Sequence, residues 1–347
     1  MPDTGRHIIL VLPGLCGPDS DPPVSDYLQT RPVALDRLLS RSRVQVAPAA
    51  DLDSLLCSLF GMEPEVGVAP PVAPLTRLAD TGAAEGGYVL RADPVHLRAD
   101  QSRLLLFEAH SFELSQDEAE QLADAFNTLY ADRGWQLVTP RPQRWYLSVP
   151  QDPLITTVPP ARAAGQDIDA CLPQGAAAVE WHALLNEVQM LLHDHPVNIE
   201  REQRGEPGIN SLWFWGGGVL PQGVHSELAQ VITDHVLCMG LAASAGVPRR
   251  DLPADAGELT TLALPGVNLV VSDALHWPVQ YGDVEHWLQV LQQLEQDWCG
   301  PLLAALRRGE LASLSIYPGN GRRYTTSRAL LRQFWKRDRP FEAVCRS

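Results

Sequence analysis

His195-Pro196-Val197-Asn198-Ile199-Glu200-Arg201, followed by Asn210-Ser211-Leu212-Trp213-Phe214-Trp215-Gly216-Gly217-Gly218, is the stretch from which the fold of this chain is read. Upstream of it, Trp181, Leu184, Leu185, Val188, Leu191 and Leu192 recur at helical spacing and make one apolar face. That helix ends before Pro196, because a proline drives the preceding residue out of the α region. Residues 212–215 then read as a strand running into three glycines. Trp213 and Trp215 alternate along it and face one side, so core packing is their default role.

The same alternation of helix and strand extends outward. Residues 7–12 read as a buried strand, a run of β-branched and Leu residues that stops at Pro13-Gly14. A helix is predicted near 33–39. Residues 64–74 hold Pro64, Pro70, Pro71 and Pro74 and read as a loop or linker. Residues 104–107 read as a strand. Ser115-Gln116-Asp117-Glu118 is a capping box, with Ala119, Leu122, Ala123, Phe126, Leu129 and Tyr130 at helical spacing behind it. That helix should stop at Arg133-Gly134. Residues 145–149 form another predicted strand, stopped by Pro150. Residues 228–240 are predicted helical, 267–272 a buried strand ending at Asp273, and Trp287, Val290, Leu291 and Leu294 a further helix. The pattern predicts an α/β fold with a mainly parallel sheet. It also predicts a discontinuous core of residues 1–85 plus 154–347, with 86–153 inserted as a smaller α/β domain.

Composition narrows the function classes. At 347 residues, with 45% hydrophobic and 20% charged content, the chain has the make-up of a soluble globular protein large enough for two domains. Lys and Arg number 27 against 42 Asp and Glu, a formal net charge of −15. Nucleic acid and anionic membrane would repel such a chain, so neither is an expected partner. The one short basic run, Lys336-Arg337-Asp338-Arg339, reads as a solvated end. The apolar run 8–12 is too short for a signal-peptide core or a membrane span. Six scattered cysteines without a Cys-x-x-Cys pair suggest reduced thiols and a cytoplasmic location.

The block from 184 to 221 resembles the signature of the cofactor-independent phosphoglycerate mutases of the archaeal type. Ile9-Leu10-Val11-Leu12-Pro13-Gly14-Leu15 resembles their first strand, which runs into Asp-Gly-Leu. Pro48-Ala49-Ala50-Asp51 and Ser58-Leu59-Phe60-Gly61-Met62-Glu63-Pro64 resemble their Pro-Gly-Ser-Asp and Leu-Gly-Tyr-Asp-Pro segments. Asp93-Pro94-Val95-His96-Leu97-Arg98 resembles the opening of their inserted domain, and Arg144 an Arg near its close. Pro173 and Gly175 sit in a stretch like their Leu-Pro-x-Gly. The resemblance implies an alkaline-phosphatase-like core. The chain also resembles the bacterial family labelled "regulatory protein, RpfE type", through Trp-Gly-Gly-Gly and Arg91-Ala92-Asp93-Pro94-Val95-His96-Leu97-Arg98. That label names a pathway role and no chemistry.

A metal-dependent mutase needs a nucleophilic hydroxyl against two divalent ions held by Asp and His. Set against the resemblance, this chain carries Pro13 for the strand-end Asp and Ala50 for the nucleophilic Ser. Asp19 and Asp21 stand at another offset; Ser54 and Ser58 are the nearby hydroxyls. An Asp-Glu-x-Gly-His motif survives at best as Asp273-Ala274-Leu275-His276, and no His follows His286. Asp273 and His276 are therefore the only candidate metal ligands carried forward, and Asp283 and His286 read as helix-start residues. His193-Asp194-His195 reads as helix-end contacts. Gly216-Gly217-Gly218 lacks the Lys of a P-loop and reads first as a close-packed turn.

These readings predict a non-catalytic mutase-like regulatory protein without a cofactor. Its partner would be an anionic, phosphorylated small molecule or a protein. Arg98, Arg144, His195, Asn198 and Arg201, at positions resembling family motifs, are the candidate ligand-binding residues, expected to converge in a cleft between the domains. Two alternatives stand beside it. One is a mutase or phosphohydrolase with a rearranged site, carrying Mn²⁺ or Zn²⁺. The other is a protein-interaction module with no ligand.

Overall fold

The apolar run at the start of the chain becomes β1 (Arg6–Val11), the first strand of a seven-stranded sheet. The computed structural model describes residues 5–346 apart from 19–26, 29, 50, 64–67, 85, 101–102, 165–166 and 334. Residue contacts divide the chain into two units, one of 1–66 with 223–347 and one of 67–222. After β1 come α1 (Val33–Ser40), β2 (Arg43–Val46) and α2 (Leu52–Leu59). Pro32 gives α1 no side-chain cap. Glu295 supplies one from far along the chain, accepting from the Ala34 and Leu35 amides at 2.6 and 3.0 Å.

The unit of 67–222 begins with α3 (Val72–Thr81), β3 (Tyr88–Asp100), β4 (Arg103–Glu108) and α4 (Gln116–Leu129). It continues through β5 (Gln136–Arg141), β6 (Arg144–Val149), β7 (Ile155–Thr156), α5 (Pro160–Ala163) and β8 (Gln174–Gly175). It closes with α6 (Ala178–His193), α7 (Pro196–Gln203) and β9 (Ser211–Gly218). An antiparallel sheet runs β4-β3-β6-β5, with β9 paired to β3. The strand pleat of β9 decides its two faces. Leu212 and Phe214 join α4 and α6 in one core, around Phe126, Trp145, Trp181 and Val188. Trp213 and Trp215 pack on the opposite side, with Val95, Leu106 and Ile168. Ser115 closes its capping box on Glu118 as the motif predicts.

This unit is wider than the inserted domain expected at 86–153. The reason is the β3–β9 pairing, which joins residues 211–218 to a sheet that local sequence assigned to the insertion alone. The expected loop at 64–74 also changes. Residues 64–67 lie outside the described ones, and α3 begins at Val72 with Pro74 in its first turn. A first-turn proline is tolerated because that turn's N–H groups have no intrahelical acceptor. β5 is a strand that the sequence pattern did not mark.

On its return the chain forms β10 (Leu228–Thr233), α8 (Val236–Ala245), β11 (Arg249–Arg250), α9 (Ala256–Leu262) and β12 (Gly266–Val271). There follow α10 (His276–Gln280), α11 (Val284–Leu294), α12 (Gly300–Arg308), β13 (Ser313–Tyr317) and β14 (Arg322–Ser327). The chain closes with α13 (Arg328–Leu331) and α14 (Phe341–Cys345). The sheet order is β11-β10-β12-β1-β13-β14-β2; the first five strands are parallel, and β14 pairs antiparallel with both β13 and β2. β1 and β12 are direct parallel neighbours, as a single core sheet requires. Ile8, Leu10 and Leu12 alternate onto the core that holds Leu35, Trp287, Leu302 and Phe341. Residues 228–240 are not one helix. Val231, Ile232 and Thr233 are fully buried in β10, and Gln230, though polar, is paired to Asn268 and the Leu262 carbonyl. Asp283 caps α11 as expected. Between α11 and α12, Pro301 has no N–H to donate, and the helix widens to a π turn over Glu295–Cys299. Among the described residues no helix is long and apolar enough to cross a membrane.

Candidate functional site

In an open parallel sheet, ligands meet the loops beyond the carboxyl ends of the strands. In the unit of 1–66 and 223–347, that edge carries residues 12–17 after β1, 234–235 after β10, 272–275 after β12 and 318–321 after β13. Pairing runs one residue past the strands: the Leu12 amide donates to the Tyr317 carbonyl at 2.9 Å and the Ser272 amide to the Val11 carbonyl at 3.1 Å. Pro13 is therefore held, buried, at the end of the central ladder. Gly14 follows at φ +86°, where a Cβ would lie 2.5 Å from the Leu275 carbonyl oxygen. Its own carbonyl accepts from the Trp287 indole at 2.9 Å. This is a rigid, filled strand end.

The candidate metal ligands sit on the neighbouring loop. The His276 amide donates to the Asp273 carbonyl at 2.8 Å, and both side chains are half-buried. Burial pushes the His276 imidazole below its ordinary pKa, a shift that the nearby Asp273 carboxylate opposes. Pro13 offers no donor at all. Among the described residues, no group of three or more His, Cys, Asp or Glu side chains is disposed to hold an ion. The donor set at these strand ends does not fit a pair of divalent cations. Ala50, Asp19 and Asp21 lie outside the described residues. The Ser58 hydroxyl donates to the Leu55 carbonyl at 2.7 Å inside α2.

The five candidate ligand-binding residues all fall in the unit of 67–222. Three ride on α7. His195 is its N-cap and accepts from the Val197 amide at 3.3 Å; burial lowers its pKa. Asn198 is buried and bonds both backbone groups of Ile209, at 2.7 and 2.8 Å, and the Leu192 carbonyl at 2.7 Å. Arg201 is 1% exposed. Its three nitrogens donate to the Pro207 carbonyl, the Glu118 carboxylate and the Glu113 carbonyl at 2.9–3.2 Å. Asn198 and Arg201 thus fix the 205–210 turn and the start of α4, with each guanidinium nitrogen bonded to an acceptor of the chain. Arg144 forms a bidentate pair with Asp80 at 2.6 and 2.8 Å, which Tyr146 joins at 2.6 Å. Burial opposes the Asp80 charge, but these partners hold its pKa below the ordinary carboxylate value. Arg98 is exposed, its guanidinium 4.7 Å from the Phe107 ring centroid. The structure gathers His195, Asn198 and Arg201 through their shared helix; Arg98 and Arg144 stand on β3 and β6 with separate partners.

One arrangement was missed at the level of sequence. Arg91 and Asp93, 5% and 6% exposed, form a buried ion pair at 2.7 Å. Asp93 also accepts from the Trp145 amide and the Trp215 indole, and the Arg91 guanidinium lies between the Tyr146 and Trp215 rings. The i, i+2 spacing of Arg91 and Asp93, read with the alternating tryptophans, was the signal. The three glycines serve packing. A Cβ at Gly216, Gly217 or Gly218 would approach Val72, Tyr88 or Pro71 within 2.6–3.0 Å, so bare backbone is what lets the start of α3 and Tyr88 lie on β9.

The family model for 2,3-bisphosphoglycerate-independent phosphoglycerate mutase matches residues 79–198. This chain is similar to those mutases. A probable 2,3-bisphosphoglycerate-independent phosphoglycerate mutase of Geobacter sulfurreducens is 24% identical over 340 residues, covering 87% of this chain and 82% of that protein. The mutase of Methanosarcina acetivorans is 26% identical over 257 residues, covering 67% of this chain and 60% of the relative. Among solved structures, the cofactor-independent phosphoglycerate mutase of Thermoplasma acidophilum superposes with a TM-score of 0.50 at 18% identity, over 98% of this chain and 94% of that one. A Pyrococcus horikoshii protein gives 0.57 at 14% identity, over 93% and 88%. The fold is mixed α/β with a mostly parallel sheet, of the phosphoglycerate-mutase kind.

Proposed function

We propose that this chain is a non-catalytic relative of the phosphoglycerate mutases with a regulatory role, exerted by binding an anionic, phosphorylated metabolite. The observation that carries the reading is Pro13: it is buried at the end of the central strand, where the family resemblance calls for a metal-binding Asp. The resemblance to the RpfE-type regulatory family supports the role, and six free thiols support a cytoplasmic site of action. Arg98 is the exposed candidate cation for such a ligand; Arg144 and Arg201 are held by internal carboxylates.

A second reading is a Mn²⁺- or Zn²⁺-dependent mutase or phosphohydrolase with a rearranged site. It rests on the relatives' names and on Asp273 and His276 standing together after β12. Interconversion of 2- and 3-phosphoglycerate, measured with and without manganese, separates the two. The expected result is no turnover above background in either condition. Turnover above about 1 s⁻¹, abolished by chelator, would overturn the non-catalytic reading. Calorimetric titration with 3-phosphoglycerate then tests the ligand; flat heats make a protein the better partner.

A further inference from the structure

We propose that Cys16 and Cys345 form a reversible disulfide that ties the loop after β1 to the C-terminal helix. Of the six cysteines, Cys57, Cys171, Cys238 and Cys299 are buried; Cys16 and Cys345 alone are partly exposed. These two thiols come from opposite ends of the chain and hydrogen-bond to each other. Their meeting is built by the core. Phe341 of α14 stacks on Trp287 at 6.3 Å, and the Trp287 indole holds the Gly14 carbonyl in the Cys16 loop. From the other side, Asn320 donates to the Cys345 carbonyl at 3.2 Å and the Tyr324 hydroxyl to the Val344 carbonyl at 3.3 Å. The turn that carries Asn320 touches the Cys16 loop in turn, since a Cβ on Gly319 would lie 3.3 Å from the Pro13 Cα. A disulfide needs its two thiols within reach of each other, and these contacts bring the Cys16 loop and α14 together.

The chemistry is exchange with a small disulfide such as glutathione disulfide. Cys16 keeps its proton while it donates to Cys345, and Arg322 stands beside the pair. Cys345, as thiolate, attacks one sulfur of the oxidant; the S–S bond breaks and a glutathione thiolate leaves to take up a proton. Cys16 then releases its proton to solvent, and its thiolate attacks the Cys345 sulfur of the mixed disulfide, expelling the second glutathione. The protein loses two electrons and one glutathione disulfide becomes two glutathiones. Excess glutathione reverses both steps. The oxidised state would clamp the loop at the carboxyl edge of the parallel sheet, the place where such sheets meet ligands.

The test equilibrates the folded full chain in glutathione buffers of graded ratio. Free thiols are blocked, and the chain is digested and mapped by mass spectrometry without reduction. The expected result is a Cys16–Cys345 peptide pair lighter by two hydrogens, with thiols titrated after unfolding reduced by two. Cys345→Ser should abolish the link, and Cys16→Ser should abolish it and leave a glutathione adduct on Cys345. Hydrogen exchange of residues 12–17 and 341–345 should slow on oxidation of the native sequence and stay unchanged in Cys345→Ser. The absence of that cross-link across the whole range of ratios overturns the proposal. So does cross-linking spread over the four buried cysteines.

Discussion

Replacing Asp93 by Ala should be among the most damaging single changes in the unit of 67–222. Asp93 neutralises a guanidinium that is 5% exposed and accepts hydrogen bonds from Arg91, the Trp145 amide and the Trp215 indole. Breaking one side of a buried pair costs about 3–5 kcal/mol, because the remaining charge stays buried without a counter-charge. The two buried N–H donors would lose their acceptor as well, at about 1–3 kcal/mol each. These costs overlap, since the range for breaking a buried pair already covers groups left without a partner. The Tyr146 and Trp215 ring faces, 5.3 and 5.1 Å from the guanidinium, contact it in both forms and offset nothing. The net expectation is a loss of about 3–5 kcal/mol, a large share of a typical domain stability of about 5–15 kcal/mol. Arg91→Met should cost less, about 2–3 kcal/mol, because it leaves the Asp93 carboxylate with two hydrogen-bond donors. The double variant Arg91→Met/Asp93→Leu should be milder than the sum of the two singles by about 1–3 kcal/mol. Urea unfolding followed by tryptophan fluorescence reads all three, since Trp145, Trp181 and Trp215 lie in this unit. A loss below about 1 kcal/mol for Asp93→Ala, or additive singles, would refute the argument that charge pairing holds this face of the sheet.

Two further outcomes test the strand end and the Arg144–Asp80 pair. Gly14→Ala places a Cβ 2.5 Å from the Leu275 carbonyl oxygen at a φ of +86°, and should cost more than about 2 kcal/mol in thermal or urea unfolding; a loss under about 0.5 kcal/mol would show that the loop relaxes freely. Asp80 has a folded-state pKa below its unfolded value, so its stabilisation is present above the ordinary carboxylate range and lost as pH falls through the folded value. The stability gap between the native sequence and Asp80→Asn should therefore be full near pH 7 and narrow below about pH 4; a pH-independent gap would remove the ion pair as its cause.

Much of the local structure follows from sequence pattern because short-range chemistry specifies it. The β1 run ending at Pro13, the Ser115–Glu118 capping box, the α6 face ending before Pro196 and the Asp283 cap each depend on neighbours within a few residues. Where competition was long-range, pattern misled. Residues 228–233 are apolar enough for a buried helix or a buried strand; the slot between β11 and β12 decides for strand. The first turn of α3 hides behind its prolines, because Pro74 occupies a position whose amide is not needed.

The candidate site divides in the same way. Sequence alone singled out Pro13, Ala50, Asp273, His276, Arg98, Arg144, His195, Asn198 and Arg201, since residue identity at a motif position needs no coordinates. What those side chains touch was decided only by tertiary structure. Arg201 and Asn198 turn inward to hold the 205–210 turn and α4, and Arg144 on β6 faces Asp80 of α3. Arg91 with Asp93, and Cys16 with Cys345, become pairs only once strands and chain ends are assembled. A hydrogen bond or ion pair depends on distance in space. Local sequence sets that distance within a helix turn or along a strand, and the packing of the whole core sets it everywhere else.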